Sequence, residues 1–194
     1  VAEVGYPSSL PADAAGHVLP NPWAFLPGYP WLVSVLMAVT ALPFYPAGVV
    51  VATVCGAGAA LALCGLLRER TGARQARWAT AVFCLGPVSF LLQVAYAESL
   101  FLLLMFAALW LLIRRHYLLI IPVAVAAAFT RPGVLALALA LAIHLVTRFV
   151  VGDRPRTTQT LSIVAAGAVT AVAGLDWPAI ASAVTSRKDA YVDT

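Results

Sequence analysis

Two charged residues border apolar runs, where an ionised group is costly and needs a reason. Glu98, in the stretch Ala95-Tyr96-Ala97-Glu98-Ser99, opens an apolar helical segment. A carboxylate there complements the positive end of a helix, and the same position suits contact with a polar substrate at a membrane edge. Arg131 falls between two apolar segments, where Pro132 and Gly133 break the backbone. Its side chain either snorkels to an interface or holds an anionic head group, because a guanidinium grips phosphate through two parallel hydrogen bonds. Glu3 and Asp13, in the first loop, have the chemistry of proton acceptors, although exposed loop carboxylates ordinarily only keep a loop hydrated. His17 is a weak signal, and an inter-helix hydrogen bond accounts for His144. No Gly-rich phosphate loop, His-Glu metal motif or Ser-His-Asp arrangement occurs. Cys55, Cys64 and Cys84 lie in apolar segments without metal-site spacing and read as small packing residues.

The elements that must position these groups follow from composition. Of 194 residues, 62% are hydrophobic and 10% charged, against roughly 25% charged in an ordinary soluble domain. A soluble core of this size cannot bury so much apolar surface, so the expected solvent is lipid and the expected fold all-α and polytopic. Residues 1–28 read as an extracytoplasmic loop rich in helix breakers, 29–175 as a transmembrane helical domain and 176–194 as an extracytoplasmic tail. Residues 29–42 are too short to cross and predict a re-entrant or interfacial helix, with Pro43 and Pro46 bracketing a turn. About six spans are expected, over 47–67, 78–94 with a kink at Pro87, 98–113, 117–129, 133–151 and 158–175. Trp23, Tyr29, Trp31 and Trp177 predict an aromatic belt at the outer interface.

Charge orients this scheme. Nine arginines, from Arg68 to Arg156, face the cytoplasm against Glu69 and Asp153, while the outer face collects six carboxylates against Arg131, Arg187 and Lys188. Chemistry is therefore expected on the outer side. The net charge of +4 is not spread over one face with interleaved aromatics, which argues against nucleic acid as a partner. Arginine supplies eleven of the twelve basic residues and alanine is abundant, a usage that points to a GC-rich bacterial genome and a plasma-membrane location. Because the first residue is Val and no signal peptide precedes the first loop, the chain reads as a fragment.

Three stretches taken in order, VAEVGYP with NPWAFLPGYPWL, then GPVSFLLQVAYAESLFLLLMFAALWLL, then AAAFTRPGVLAL, resemble the PIG-V-type mannosyltransferases, a branch of the GT-C superfamily of membrane glycosyltransferases. The likeness covers most of residues 1–143. It implies transfer of mannose from a polyprenyl-phosphate-mannose donor to a hydroxyl of a glycolipid or protein acceptor at the extracytoplasmic face, with no metal or other cofactor. By position it implies a catalytic role for Glu3 and substrate contacts for Tyr6, Tyr29, Tyr96, Glu98 and Arg131. Val4 stands where the family usually has His, and Pro132 where eukaryotic members have Ser-Asn. The family's acidic residue, usually in a Trp-Asp just upstream of the first motif, would precede Val1, so the fragment alone is expected to be inactive. Read without the resemblance, broken segments around Pro43 and Pro132 also suit a transport protein or a complex subunit with a polar cavity, although no internal repeat is evident.

Overall fold

The computed structural model describes residues 1, 3, 5–7, 22–153 and 155–185. Asp13, His17, Arg154, Arg187 and Lys188 lie outside the described residues, as do Val4 and the last part of the expected tail. The described chain forms seven α-helices and no strand: α1 (Gly28–Thr40), α2 (Phe44–Arg68), α3 (Ala73–Leu85), α4 (Glu98–Ile113), α5 (Tyr117–Ala128), α6 (Leu135–Val150) and α7 (Thr157–Thr185). Short 3-10 turns occupy Pro22–Ala24 and Ser89–Leu92.

Small side chains set the packing. The buried positions of α2 are Ala47, Gly48, Val51, Ala52, Cys55, Gly56, Ala59 and Ala62, a helical stripe against which α4 lies closely. α7 presents a similar stripe, Ile163, Ala166, Thr170, Ala173, Trp177 and Ala181, to α5 and α6. Ile120, Leu137, Leu141 and Ile163 are fully enclosed where α5, α6 and α7 meet, and Tyr29, Val33, Ala47 and Val51 form a second core between α1 and α2. The opposite faces are apolar as well. Val50, Val54 and Leu61 on α2 and Leu161, Val164, Val172 and Leu175 on α7 are exposed.

The expectation of about six spans is corrected. Among the described residues only α2, with 25 residues, and α7, with 29, are long and apolar enough to cross a membrane. The apolar helices α4 and α6 have 16 residues and α5 has 12, which at 1.5 Å per residue gives about 24 Å and 18 Å, short of the roughly 30 Å of hydrocarbon. The segment read as a span over 78–94 is not one helix. Its helix begins at Ala73, so Arg74 and Arg77 are helical instead of loop residues, and it stops at Leu85. The cause is Pro87: the ring excludes the α conformation from the residue before it, and Gly86 is extended at φ −64°, ψ 159°. Pro46 does not close a turn but sits in the first turn of α2, where its missing N–H would have no intrahelical partner. The apolar segment expected to end at Leu175 continues as α7 to Thr185, with Pro178 inside it. Cys84 is exposed, unlike the buried Cys55.

The aromatic belt is also corrected. Trp31 is exposed, whereas Trp23, Tyr29 and Trp177 are buried. Each of the three carries a donor that finds a backbone carbonyl inside the protein: Trp177 Nε1 donates to the Trp23 carbonyl at 3.1 Å, Trp23 Nε1 to Pro7 at 3.0 Å and the Tyr29 hydroxyl to Gly48 at 2.8 Å. An aromatic ring with an internal partner for its polar atom gains nothing by staying at an interface.

Candidate functional site

A cavity of about 720 Å³ opens at the end of the bundle where α4 begins and α5 ends. Phe25, Leu26, Pro30, Phe44 and Pro132 make much of its wall apolar. Glu98 and Arg131 supply the charged side chains of the wall, and Arg131 Nη1 donates to Glu98 Oε1. Both remain partly open, at 29% and 44% side-chain exposure.

Local structure explains how these groups meet. Glu98 is the first residue of α4, placed there after a run of turns from Ser89 to Ala97. Ser99, beside it, is fully buried and its Oγ donates to the Leu92 carbonyl at 3.0 Å, which ties the turn to the helix. Ala95 lies so close to Gly48 that a Cβ on that glycine would come within 2.8 Å of the Ala95 Cβ. The stripe of α2 therefore brings the Ala95–Glu98 strip into the cavity wall. On the other side, Gly28 N–H donates to the Phe129 carbonyl at 2.7 Å, docking the start of α1 on the turn that carries Arg131. Thr130 is buried and its Oγ1 returns to Ala126 at 2.8 Å, so the turn before Arg131 is fixed internally.

Of the residues singled out in the sequence, Tyr29, Tyr96, Glu98 and Arg131 line this one cavity, although 29 and 131 are far apart in the chain. Glu3 and Tyr6 are not in its wall. Glu3 is exposed, in a turn closed by Gly5 N–H donating to Val1 at 2.8 Å, and Val1 itself borders the cavity. Tyr6 stacks near Trp23 and Trp177, with ring centroids 4.7 and 5.4 Å away, and its hydroxyl donates to Phe25 at 2.7 Å. Burial pushes the Tyr6 phenol up to about 12, which keeps it a donor at neutral pH. Its place is in the wall that backs Phe25 and Leu26.

The opposite end of the bundle holds a network that sequence reasoning missed. Arg148, on α6, is buried and donates to Asp153, to the Tyr117 hydroxyl and to Gln159. Arg115 reaches the same Asp153 oxygen at 3.0 Å. The hydrogen bond from Arg148, then the nearby positive charges, hold the Asp153 carboxyl below its ordinary range. His144 meets Tyr117 at 3.2 Å across α5 and α6, as the inter-helix reading expected. Glu69 accepts from Trp110 and Arg114, which hold its carboxyl below the usual value. The available signal was Arg148 inside an apolar helix, five residues before an Asp. Among the described residues no three of His, Cys, Asp and Glu gather as a metal site.

Compared with known protein families, curated proteins and solved structures, the chain matches none.

Proposed function

We propose that the chain is a multi-pass membrane glycosyltransferase that moves mannose from a polyprenyl-phosphate-mannose donor to an acceptor hydroxyl at the extracytoplasmic face. The observation that carries the reading is the 720 Å³ cavity in which Tyr29, Tyr96, Glu98 and Arg131 converge on an otherwise apolar wall. A lipid-linked sugar phosphate needs such a surface: apolar wall for the first isoprene units, a cation for the phosphate and an exposed aromatic hydroxyl, that of Tyr96, for the sugar. The stretches that resemble PIG-V-type enzymes include these four residues. Lipid as solvent is supported by α2 and α7, which keep most of their length unburied, with 33% and 28% of their most apolar windows inside the protein. A helix serving as the core of a soluble protein would be largely buried.

In the reaction the acceptor oxygen attacks C1 of mannose, and the bond between C1 and the phosphate oxygen breaks with its electron pair going to the phosphate. The acceptor proton passes to a carboxylate, for which Glu3, exposed in the turn that starts at the cavity-bordering Val1, is the candidate. Arg131 offsets the charge that grows on the departing phosphate, a stabilisation larger in the transition state than in the ground state.

The test uses the complete product of the gene in membranes supplied with radiolabelled polyprenyl-phosphate-mannose. Labelled mannose should appear on lipid or protein. Arg131→Ala should lower that rate on the order of a hundredfold, the usual loss for one such electrostatic partner. Donor uptake across the membrane without any transfer product would instead establish a transporter, and equal rates for Arg131→Ala would remove the phosphate role.

A further inference from the structure

We infer that Glu98 is an exchangeable counter-anion: it holds Arg131 while the cavity is empty and yields it to the phosphate of an amphiphilic phosphate ester, which takes its place on the guanidinium. The inference rests on reading the cavity as a donor site only in taking a phosphate ester as the ligand.

The argument begins with the contrast between two arginines. Arg148 is 7% exposed and donates to three different residues, the arrangement of a charge fixed for structure. Arg131 is 44% exposed, borders a cavity and donates to Glu98. A partly exposed ion pair of this kind contributes little to stability, since double-mutant cycles on exposed pairs give roughly 0–1 kcal/mol. A phosphate that offers two oxygens to the guanidinium fork replaces one carboxylate contact with a bidentate one. The exchange is therefore affordable.

Glu98 does not become an orphan on release. It occupies the first turn of α4, where the helix dipole favours a carboxylate. It also remains in the cavity wall, open to whatever polar group the ligand carries beyond its phosphate. The pair therefore does two things. It neutralises the cavity when no ligand is present, and it sets a threshold that a simple halide ion, lacking the fork's complementary geometry, meets less well than a phosphate. The apolar wall around the pair adds the second half of the selection, because a ligand with a hydrocarbon chain beside its phosphate can cover Phe25, Leu26 and Phe44 while a free phosphate cannot.

The probes are dodecyl phosphate, inorganic phosphate and uncharged dodecanol, titrated into the purified chain in a non-ionic detergent and followed by calorimetry. Dodecyl phosphate should bind, inorganic phosphate at least tenfold more weakly, and dodecanol without dependence on residue 131. Glu98→Gln, which keeps the shape and removes the competing charge, should tighten dodecyl phosphate about threefold to fivefold, the equivalent of about 0.6–1 kcal/mol and the upper part of what such pairs hold. Arg131→Gln should weaken it tenfold or more, and in the double variant Glu98→Gln should bring no gain. Arg131→Lys should retain part of the affinity, which separates loss of the charge from loss of the fold. Equal or weaker binding by Glu98→Gln in a folded protein, or a gain that persists without Arg131, would overturn the exchange. So would failure of dodecyl phosphate to bind the parent and the Glu98→Gln variant alike. The outcome is independent of transfer: exchange with no mannosylated product would remove the glycosyltransferase reading alone, and product formation with no gain in Glu98→Gln would remove the exchange alone.

Discussion

Gly28 is the residue on which the cavity's geometry turns most sharply, and its substitution makes a quantitative prediction. A Cβ added there would stand 2.7 Å from the Phe129 carbonyl oxygen and 2.9 Å from Thr130 Oγ1. Both neighbours are held: one is backbone, and the other is a buried hydroxyl already bonded to Ala126. The two segments must separate by several tenths of an ångström, and the 2.7 Å hydrogen bond from Gly28 N–H to Phe129 is lost or stretched. Overpacking costs about 1–3 kcal/mol and a hydrogen bond about 0.5–1.5 kcal/mol. Against this, alanine gains up to about 1 kcal/mol in helix propensity. The net expectation for Gly28→Ala is a loss of about 1–3 kcal/mol. Gly167→Ala supplies the internal control, because its Cβ would meet Leu141 Cβ at 3.9 Å, an ordinary contact. That variant should be neutral or more stable by up to about 1 kcal/mol. The assay is thermal unfolding of both variants in the same detergent, where 1 kcal/mol corresponds to about 2–4 °C in a chain of this size. Gly28→Ala should also weaken dodecyl phosphate binding, since the displaced turn carries Arg131. If Gly28→Ala is as stable as Gly167→Ala, the close approach of α1 to the Phe129 turn does not anchor the cavity.

At the other end of the bundle, Arg148→Met should lower the melting temperature and let the Asp153 carboxyl rise toward its ordinary 3.8, read by carbon NMR of the labelled aspartate. A carboxyl that stays depressed would assign its shift to Arg115 instead. Glu69 and Asp153 both have folded values below the ordinary 4.5 and 3.8, so their contribution is present above those values and is lost as pH falls below them. Unfolding measured between about pH 5 and 2 should show this loss, and Arg114→Gln should reduce the part that belongs to Glu69. Unchanged acid sensitivity in Arg114→Gln would show that its pairing with Glu69 is inconsequential.

The helices were legible where apolar length and boundaries agreed. Residues 98–113 form α4 as read, because Glu98 starts it and Arg114 and Arg115 end its apolar run. What could not be read was which apolar helices are long enough to cross, since a turn at Gly86-Pro87 and the tight connections around Arg115 and Pro132 divide the apolar sequence into pieces of 12–16 residues. Position in sequence also could not reveal that Trp177 would donate to the Trp23 carbonyl, 154 residues away, and Trp23 to the Pro7 carbonyl, so that both leave the expected interface. Of the candidate site, Glu98 and Arg131 were visible as charges beside helix breaks, Tyr29 and Tyr96 entered only through the family resemblance, and the cavity joins all four. That Glu98 and Arg131 pair was not visible, because it depends on the glycine contacts at positions 28 and 48, and neither glycine announces its neighbour.

Helix length gives the pair a further physical meaning under the membrane reading. α4 rises about 24 Å over its 16 residues, while the hydrocarbon layer is about 30 Å thick. If Arg114 and Arg115 stand at one water face, α4 would leave Glu98 about 6 Å short of the opposite one. α5, at about 18 Å, would end about 12 Å short, with Arg131 in the turn that follows it. A lone carboxylate or guanidinium near that boundary is less well solvated than in open water, and in the partly exposed pair each charge offsets the other. Pairing thus follows from the shortness of the helices that carry the two residues. The cavity between them is then a place where a polar head group can replace a protein charge while the other stays in the cavity wall. A phosphate attached to a hydrocarbon chain approaches from the membrane at that level, and its own chain remains in the apolar layer as it binds. The length of α4 and the chemistry of the cavity therefore favour the same class of ligand for independent reasons.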